Sequence, residues 1–77
     1  MKVLNYRIML RKEPDSGYTV IVPSLPGCVT YGATIEEAIK MGKEAIELYI
    51  ESLKKHKENI PTDEHTLEYM LTVKAYA

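Results

Sequence analysis

The sequence has few of the features that mark secreted or membrane-bound chains. Its 77 residues include one cysteine, Cys28, so no disulfide can form within the chain. The longest apolar run before a proline, residues 20–22, falls far short of the roughly 18 residues that suggest a membrane span. The first twenty residues also lack the charged start and continuous apolar core of a signal peptide. We therefore expect a cytoplasmic protein.

The chain also lacks an excess of charge of either sign. Ten basic residues against eleven acidic ones leave a net charge of −1, which gives no overall attraction for nucleic acid or anionic lipid. The lysines near residues 54–57 are opposed by neighbouring glutamates, a pattern typical of a solvated helix face. Nucleic-acid binding would therefore need a local patch.

No set of residues has the spacing of a known catalytic, metal or cofactor site. Cys28 has no histidine near it in sequence, and Ser24 lacks the glycines that flank a nucleophilic serine. His65 stands beside two acidic residues on a predicted loop but has no distant fourth ligand. Gly27 and Gly32 are too far apart for a phosphate-binding loop. We predict that the protein is not an enzyme and uses no metal or cofactor.

Alternation of apolar and polar residues predicts four strands. In the first, Leu4, Tyr6, Ile8 and Leu10 form the apolar face. The predicted strands cover residues 2–12, 18–22, 28–31 and 67–75. A short turn with Gly17 joins the first two strands into a hairpin, and a rigid loop containing Pro23, Pro26 and Gly27 joins the next two.

One long helix is predicted between the third and fourth strands, from Ile35 to about Lys57. Thr34 and Glu37 have the spacing of a capping box at its start. Apolar and small residues recur every three or four positions, as expected for a face that packs on a sheet: Ile35, Ala38, Ile39, Gly42, Ala45, Ile46, Tyr49 and Leu53. The predicted fold is α+β, with the order β-β-β-α-β and one helix on a mainly antiparallel four-stranded sheet in a single domain, residues 1–77.

A single helix leaves one face of such a sheet uncovered. We expect Val3, Met9, Val29 or Met70 to line that face. A domain of 77 residues buries only roughly 60% of its unfolded surface, so its stability is marginal without further contacts. An apolar open face or an unpaired edge strand is commonly covered by association. We therefore predict a homo-oligomer.

Residues 17–61 also carry a combined pattern of sequence features. Its members are Tyr18, the segment 22–28, Gly32, Thr34, the Glu36-Glu37-Ala38 run and the Ile60-Pro61 pair after the helix. This pattern resembles the N-terminal domain of the HicB family of type II antitoxins. The resemblance implies a partial ribonuclease-H-like fold that binds and masks HicA, a small RNA-cleaving toxin, without a cofactor.

The resemblance also suggests where a toxin would bind. We expect contacts from Pro23, Leu25, Pro26 and Tyr31 around the loop, with exposed helix carboxylates attracting a basic partner: Glu36, Glu44 and Glu51. Many family members add a C-terminal DNA-binding segment. Only Tyr76 and Ala77 follow the last predicted strand, so we expect no direct DNA binding by this chain.

Two other functions are compatible with the sequence. One is an orphan homo-oligomeric module that serves another partner. The other is a degenerate ribonuclease-H-like nuclease that depends on metal ions. Nucleases of that fold hold two metals with several carboxylates, whereas Asn5, Arg7, Met9 and Arg11 form the second face of the first predicted strand. The residues therefore favour the binding function over the nuclease.

Overall fold

The computed structural model of the chain describes residues 3–76, so Lys2, the start of the first predicted strand, lies outside the described residues. Its elements are β1 (Met9–Lys12), β2 (Tyr18–Ile21), β3 (Val29–Gly32) and α1 (Ile35–Lys55). The strands form one antiparallel sheet in the order β1-β2-β3, and α1 packs on β2 and β3. The predicted α+β class is confirmed.

The β1–β2 hairpin forms in the predicted place. Met9 lies opposite Ile21 at one end and Lys12 opposite Tyr18 at the other. The turn is closed by a hydrogen bond of 3.0 Å from the Glu13 N–H to the Gly17 carbonyl oxygen. Gly17 has a φ of 79°, a backbone conformation that glycine adopts without steric cost.

Local capping sets both ends of α1. The Thr34 hydroxyl oxygen accepts a hydrogen bond of 3.1 Å from the Glu37 N–H, as the sequence predicts. The helix ends slightly before the predicted Lys57 because that residue turns into the left-handed region with a φ of 56°. This turn lets the Glu58 N–H donate to the Leu53 carbonyl oxygen at 2.9 Å, which is the Schellman arrangement.

The core lies between the sheet, α1 and the loop that joins β2 to β3. Its fully or nearly buried apolar residues are Val20, Val22, Leu25, Cys28 and Ala38. Gly42 lets the helix approach the sheet, since an added Cβ would lie 3.2 Å from Val20 Cγ1. Cys28 is a buried free thiol, as predicted, and burial raises its pKa above the ordinary value.

The first strand is shorter than predicted. Residues 3–8 keep the alternating burial of a strand, with Leu4, Tyr6 and Ile8 half-buried, but β1 begins only at Met9. The reason is that β2 ends at Ile21 and the chain then turns away at Pro23. Within residues 3–76, no strand therefore lies beside residues 3–8.

The described chain has a three-stranded sheet rather than the predicted four-stranded one. No strand forms within residues 67–75, and the apolar side chains of Leu67, Tyr69, Leu71 and Val73 are 78–92% exposed. Alternation of apolar and polar residues predicts which side chains share a face. It does not provide the neighbouring strand whose backbone hydrogen bonds a strand needs. The radius of gyration is 14.8 Å, against about 11 Å for a compact domain of this length. The ribonuclease-H-like topology, which needs the fourth strand, stays a prediction.

Candidate partner-binding surfaces

The proline loop, residues 23–27, is built around one buried side chain. The Leu25 N–H donates to the Val22 carbonyl oxygen at 3.1 Å, and the Cys28 N–H donates to the Leu25 carbonyl oxygen at 2.9 Å. These turns direct Leu25 into the core with 0% exposure, while Pro23 and Pro26 stay at the surface. Leu25 therefore anchors the loop, and its side chain does not reach the surface where we expected a partner contact.

Two distant residues hold the proline loop in place. The Tyr49 hydroxyl donates to the Pro26 carbonyl oxygen at 2.8 Å, which ties the loop to α1. The Asp63 carboxylate accepts hydrogen bonds from the Ser24 hydroxyl and, at 2.5 Å, from the Arg7 backbone N–H. Asp63 is one of the two acidic residues beside His65 on the predicted loop after α1. Nothing local in the sequence indicates contacts that span 39 and 56 positions.

The Asp63 carboxyl group loses its proton more readily than that of an ordinary aspartate. Its pKa is lowered from 3.8, first by the hydrogen bond from Ser24, then by the Arg7 N–H and the guanidinium 3.6 Å away. Partial burial opposes this shift, because the side chain is only 11% exposed. The pKa of Asp63 is lower in the folded protein than in the unfolded chain, so its charge stabilises the fold. This stabilisation is complete above the unfolded pKa and is lost as pH falls through the folded pKa.

We expect Asp63→Asn to lower the free energy of unfolding at pH 7 by about 1–3 kcal/mol, because charged hydrogen bonds to Ser24 and Arg7 are weakened. The difference from wild type should shrink as pH falls below about 4. Urea denaturation at pH 7 and at pH 2.5 measures it. Asp15→Asn, at an exposed turn position, is the matched control. A difference that is the same at both pH values would contradict the role of the charge.

No element of the described part of the chain covers the face of the sheet opposite α1. Strand pairing places Met9, Ile21 and Val29 in one row across this face and Arg11, Thr19 and Tyr31 in the next. We call these six residues the open sheet face. Met9 is 59% exposed and Val29 56%, which confirms their predicted exposure on this face. Tyr31 is 46% exposed and donates its hydroxyl hydrogen to the Ser16 carbonyl oxygen at 3.0 Å.

The predicted glutamates lie elsewhere. Glu36, Glu44 and Glu51 are exposed on α1, on the other side of the sheet from Tyr31. Lys40 and Lys55 are exposed among them, so this helix surface carries both signs of charge. The residues that we expected to form one partner surface therefore separate into the proline loop, the open sheet face, the outer side of α1 and, for Leu25, the core.

The described residues hold neither a metal-ligand cluster nor a membrane-spanning helix. Between positions 3 and 76, no three histidine, cysteine, aspartate or glutamate side chains lie together as a ligand set for a metal ion. Within that range, no helix combines the length and the apolar composition needed to cross a membrane. What this part of the chain offers is a small α+β domain with exposed apolar and charged surfaces.

Comparison with known proteins assigns this domain to a family. Residues 6–77 match the family described as HicB_like antitoxin of bacterial toxin-antitoxin system. A UPF0150 protein of Thermoplasma acidophilum is 53% identical over 60 residues, 78% of this chain and 87% of that protein. Another UPF0150 protein, from Synechocystis, is 46% identical over 63 residues, 82% of this chain and 80% of its own length. The chain belongs to the HicB-like antitoxin family, which confirms the resemblance.

Proposed function

We propose that the protein is an antitoxin that binds a HicA-type, mRNA-cleaving toxin in the cytoplasm and covers its active site. It acts by binding and not by catalysis. The match to the antitoxin family over residues 6–77 carries this proposal. The assignment of HicA as partner rests on the pattern in residues 17–61, above all the proline loop between β2 and β3.

The open sheet face is the part of the surface that best suits a protein partner. Ile21 lies between the exposed Met9 and Val29, so an apolar row crosses the whole sheet. Arg11 and Tyr31 lie in the adjacent row, and both residue types are enriched at protein interfaces. An aromatic ring and an arginine beside an apolar row form the usual composition of an interface centre.

The proline loop borders the same surface. It connects the end of β2 at Ile21 to the start of β3 at Val29, which are paired neighbours in the apolar row. Pro23 and Pro26 are exposed on this loop. Because Tyr49 bonds the Pro26 carbonyl oxygen and Asp63 bonds the Ser24 hydroxyl, the loop would lose little conformational entropy when a partner binds. We therefore include Pro23, Pro26 and Tyr31 in the toxin surface and treat the glutamates of α1 as the competing surface.

The test is inhibition of RNA cleavage by a purified HicA-type toxin. Wild-type protein should stop cleavage at a stoichiometric amount. The double variant Met9→Lys/Val29→Lys should need at least about 30 times more protein, the loss expected when interface-centre residues are disrupted. Both side chains are more than half exposed, so the thermal midpoint should change little.

A triple variant of the helix surface is the matched control. Glu36→Gln/Glu44→Gln/Glu51→Gln should inhibit within about threefold of wild type, since exposed charges on a rim contribute little to affinity. The opposite pattern, with loss only in the triple variant, would move the toxin surface to α1. Wild-type protein that leaves cleavage unchanged would overturn the antitoxin proposal.

A further inference from the structure

An open groove runs between α1 and the segment that precedes β1. Its volume is about 650 Å³. Three half-buried side chains of the N-terminal segment form one wall and three isoleucines of the helix form the other: Leu4, Tyr6, Ile8, Ile39, Ile46 and Ile50. Charges of both signs border the groove, from Lys43, Glu47, Glu51 and Lys54.

The groove has the position of a missing strand. The apolar stripe of α1 is buried at Ala38 and Gly42, which lie over the sheet, whereas Ile39 is 51% exposed. The sheet ends at β1, and residues 3–8 continue that edge with no strand partner among the described residues. The helix therefore presents apolar side chains beyond the edge strand β1. A further strand beside β1 would pack against them. Unpaired N–H and C=O groups on such an edge favour strand addition.

The segment 67–76 has the pattern of the strand that would fill this groove. Leu67, Tyr69, Leu71 and Val73 alternate with mostly polar residues, and all four are at least 78% exposed. Fully extended, residues 67–75 would span about 30 Å, close to the length of the edge formed by residues 3–12. Within the described chain, the apolar side chains of this segment and the groove are both left uncovered.

Contacts just before and at the start of the segment join it to the N-terminal residues of the same chain. The Tyr6 hydroxyl donates to the Pro61 carbonyl oxygen at 2.5 Å, and the Arg7 Nε lies 3.2 Å from the Glu68 carboxylate. A further hydrogen bond joins the Arg7 backbone to Asp63. These contacts hold the start of the segment at the middle of residues 3–12, which form the edge of its own sheet. From there the segment continues with its apolar side chains exposed, 78% at Leu71 and 81% at Val73.

We propose that two copies of the chain exchange these segments, so that residues 67–75 of each copy lie in the groove of the other as a strand beside residues 3–10. A reciprocal exchange about a twofold axis covers both grooves and both segments at once. A tyrosine buries about 150–250 Å². Two segments, each with Tyr69 and three aliphatic side chains, reach the roughly 1,200–2,000 Å² of a stable interface. The exchange leaves the open sheet face free.

Light scattering coupled to size-exclusion chromatography tests the exchange on the chain alone. Wild-type protein at about 50 μM, well above the micromolar affinities at the weak end of such interfaces, should have twice the chain mass of 8.8 kDa. Leu71→Asp, in the segment, and Ile39→Asp, in the groove, should each raise the dimer dissociation constant at least about 30-fold. Both side chains are at least half exposed in the single chain, so neither variant should unfold it.

The matched control is Thr72→Asp, which adds the same charge to the opposite face of the same segment and should leave the dimer intact. Mixing the Leu71→Asp and Ile39→Asp proteins should give mixed dimers with a lower dissociation constant than either variant alone, because one of their two sites joins an intact segment to an intact groove, while the other site carries both aspartates. A monomeric wild type or a dimer that both variants leave unchanged would overturn the exchange.

Discussion

Replacement of Gly32 by alanine is expected to lower the free energy of unfolding by at least about 3 kcal/mol, at or beyond the upper range for overpacked cores. Gly32 ends β3 and lies directly under the first turn of α1. An added Cβ would overlap the Ala38 backbone nitrogen and lie 2.8 Å from the Glu37 carbonyl carbon. Those atoms belong to helix backbone, which cannot move aside as a flexible side chain can. The helix would have to lift away from β3.

Gly42→Ala is the control for this prediction, because it also adds one methyl group under α1. Its Cβ would lie 3.2 Å from Val20 Cγ1 and 3.6 Å from Ile8 Cδ1, both side-chain atoms. Alanine also gains about 1 kcal/mol of helix propensity over glycine. We expect a net change within about 1 kcal/mol by urea denaturation. If Gly32→Ala proved as stable as Gly42→Ala, the close docking of the helix on β3 would be wrong.

The parts of the fold that sequence could predict are those fixed by local chemistry. Thr34 caps α1 because a side-chain oxygen three residues before an amide reaches it in the first turn. The hairpin needs Gly17 at a positive φ, and the run from Tyr18 to Ile21 favours a strand. Each of these depends on residues within a few positions of one another.

The parts that sequence did not predict depend on contacts between distant positions. Asp63 holds Ser24 and the Arg7 backbone, and no spacing rule connects these three residues. The alternation in residues 67–75 gives a strand-like pattern but not a partner for it. The proposed exchange would reconcile pattern and structure, since a second copy supplies the edge that one chain lacks.

The candidate site also depends on contacts that local sequence patterns do not reveal. A loop leucine between two prolines looks exposed in sequence, but Leu25 is the residue on which the loop is built. The glutamates of α1 are expected to attract a basic partner beside Tyr31, but the alternation of β3 sends Tyr31 to the opposite side of the sheet. Charge complementarity to one partner therefore groups residues that the fold places on different surfaces.

Leu25→Ala should lower the free energy of unfolding by about 2–5 kcal/mol, because a fully buried leucine leaves a cavity that the fixed loop cannot close. Its neighbours in the core are Val22 and Cys28. A domain of 77 residues has roughly 4–12 kcal/mol of stability in total. Thermal unfolding followed by circular dichroism should therefore show a large drop in the midpoint. Pro26→Ala, at an exposed position of the same loop, should change it little.

The same variant separates anchoring from direct contact in toxin inhibition. If Leu25 acts only by holding the proline loop, Leu25→Ala should inhibit poorly at temperatures where a large fraction is unfolded and should regain inhibition on cooling. A toxin contact through the Leu25 side chain predicts a loss that persists in the folded variant, since the missing atoms are absent at every temperature. That persistent loss would require the loop to open when the toxin binds, because the leucine is 0% exposed in the closed loop.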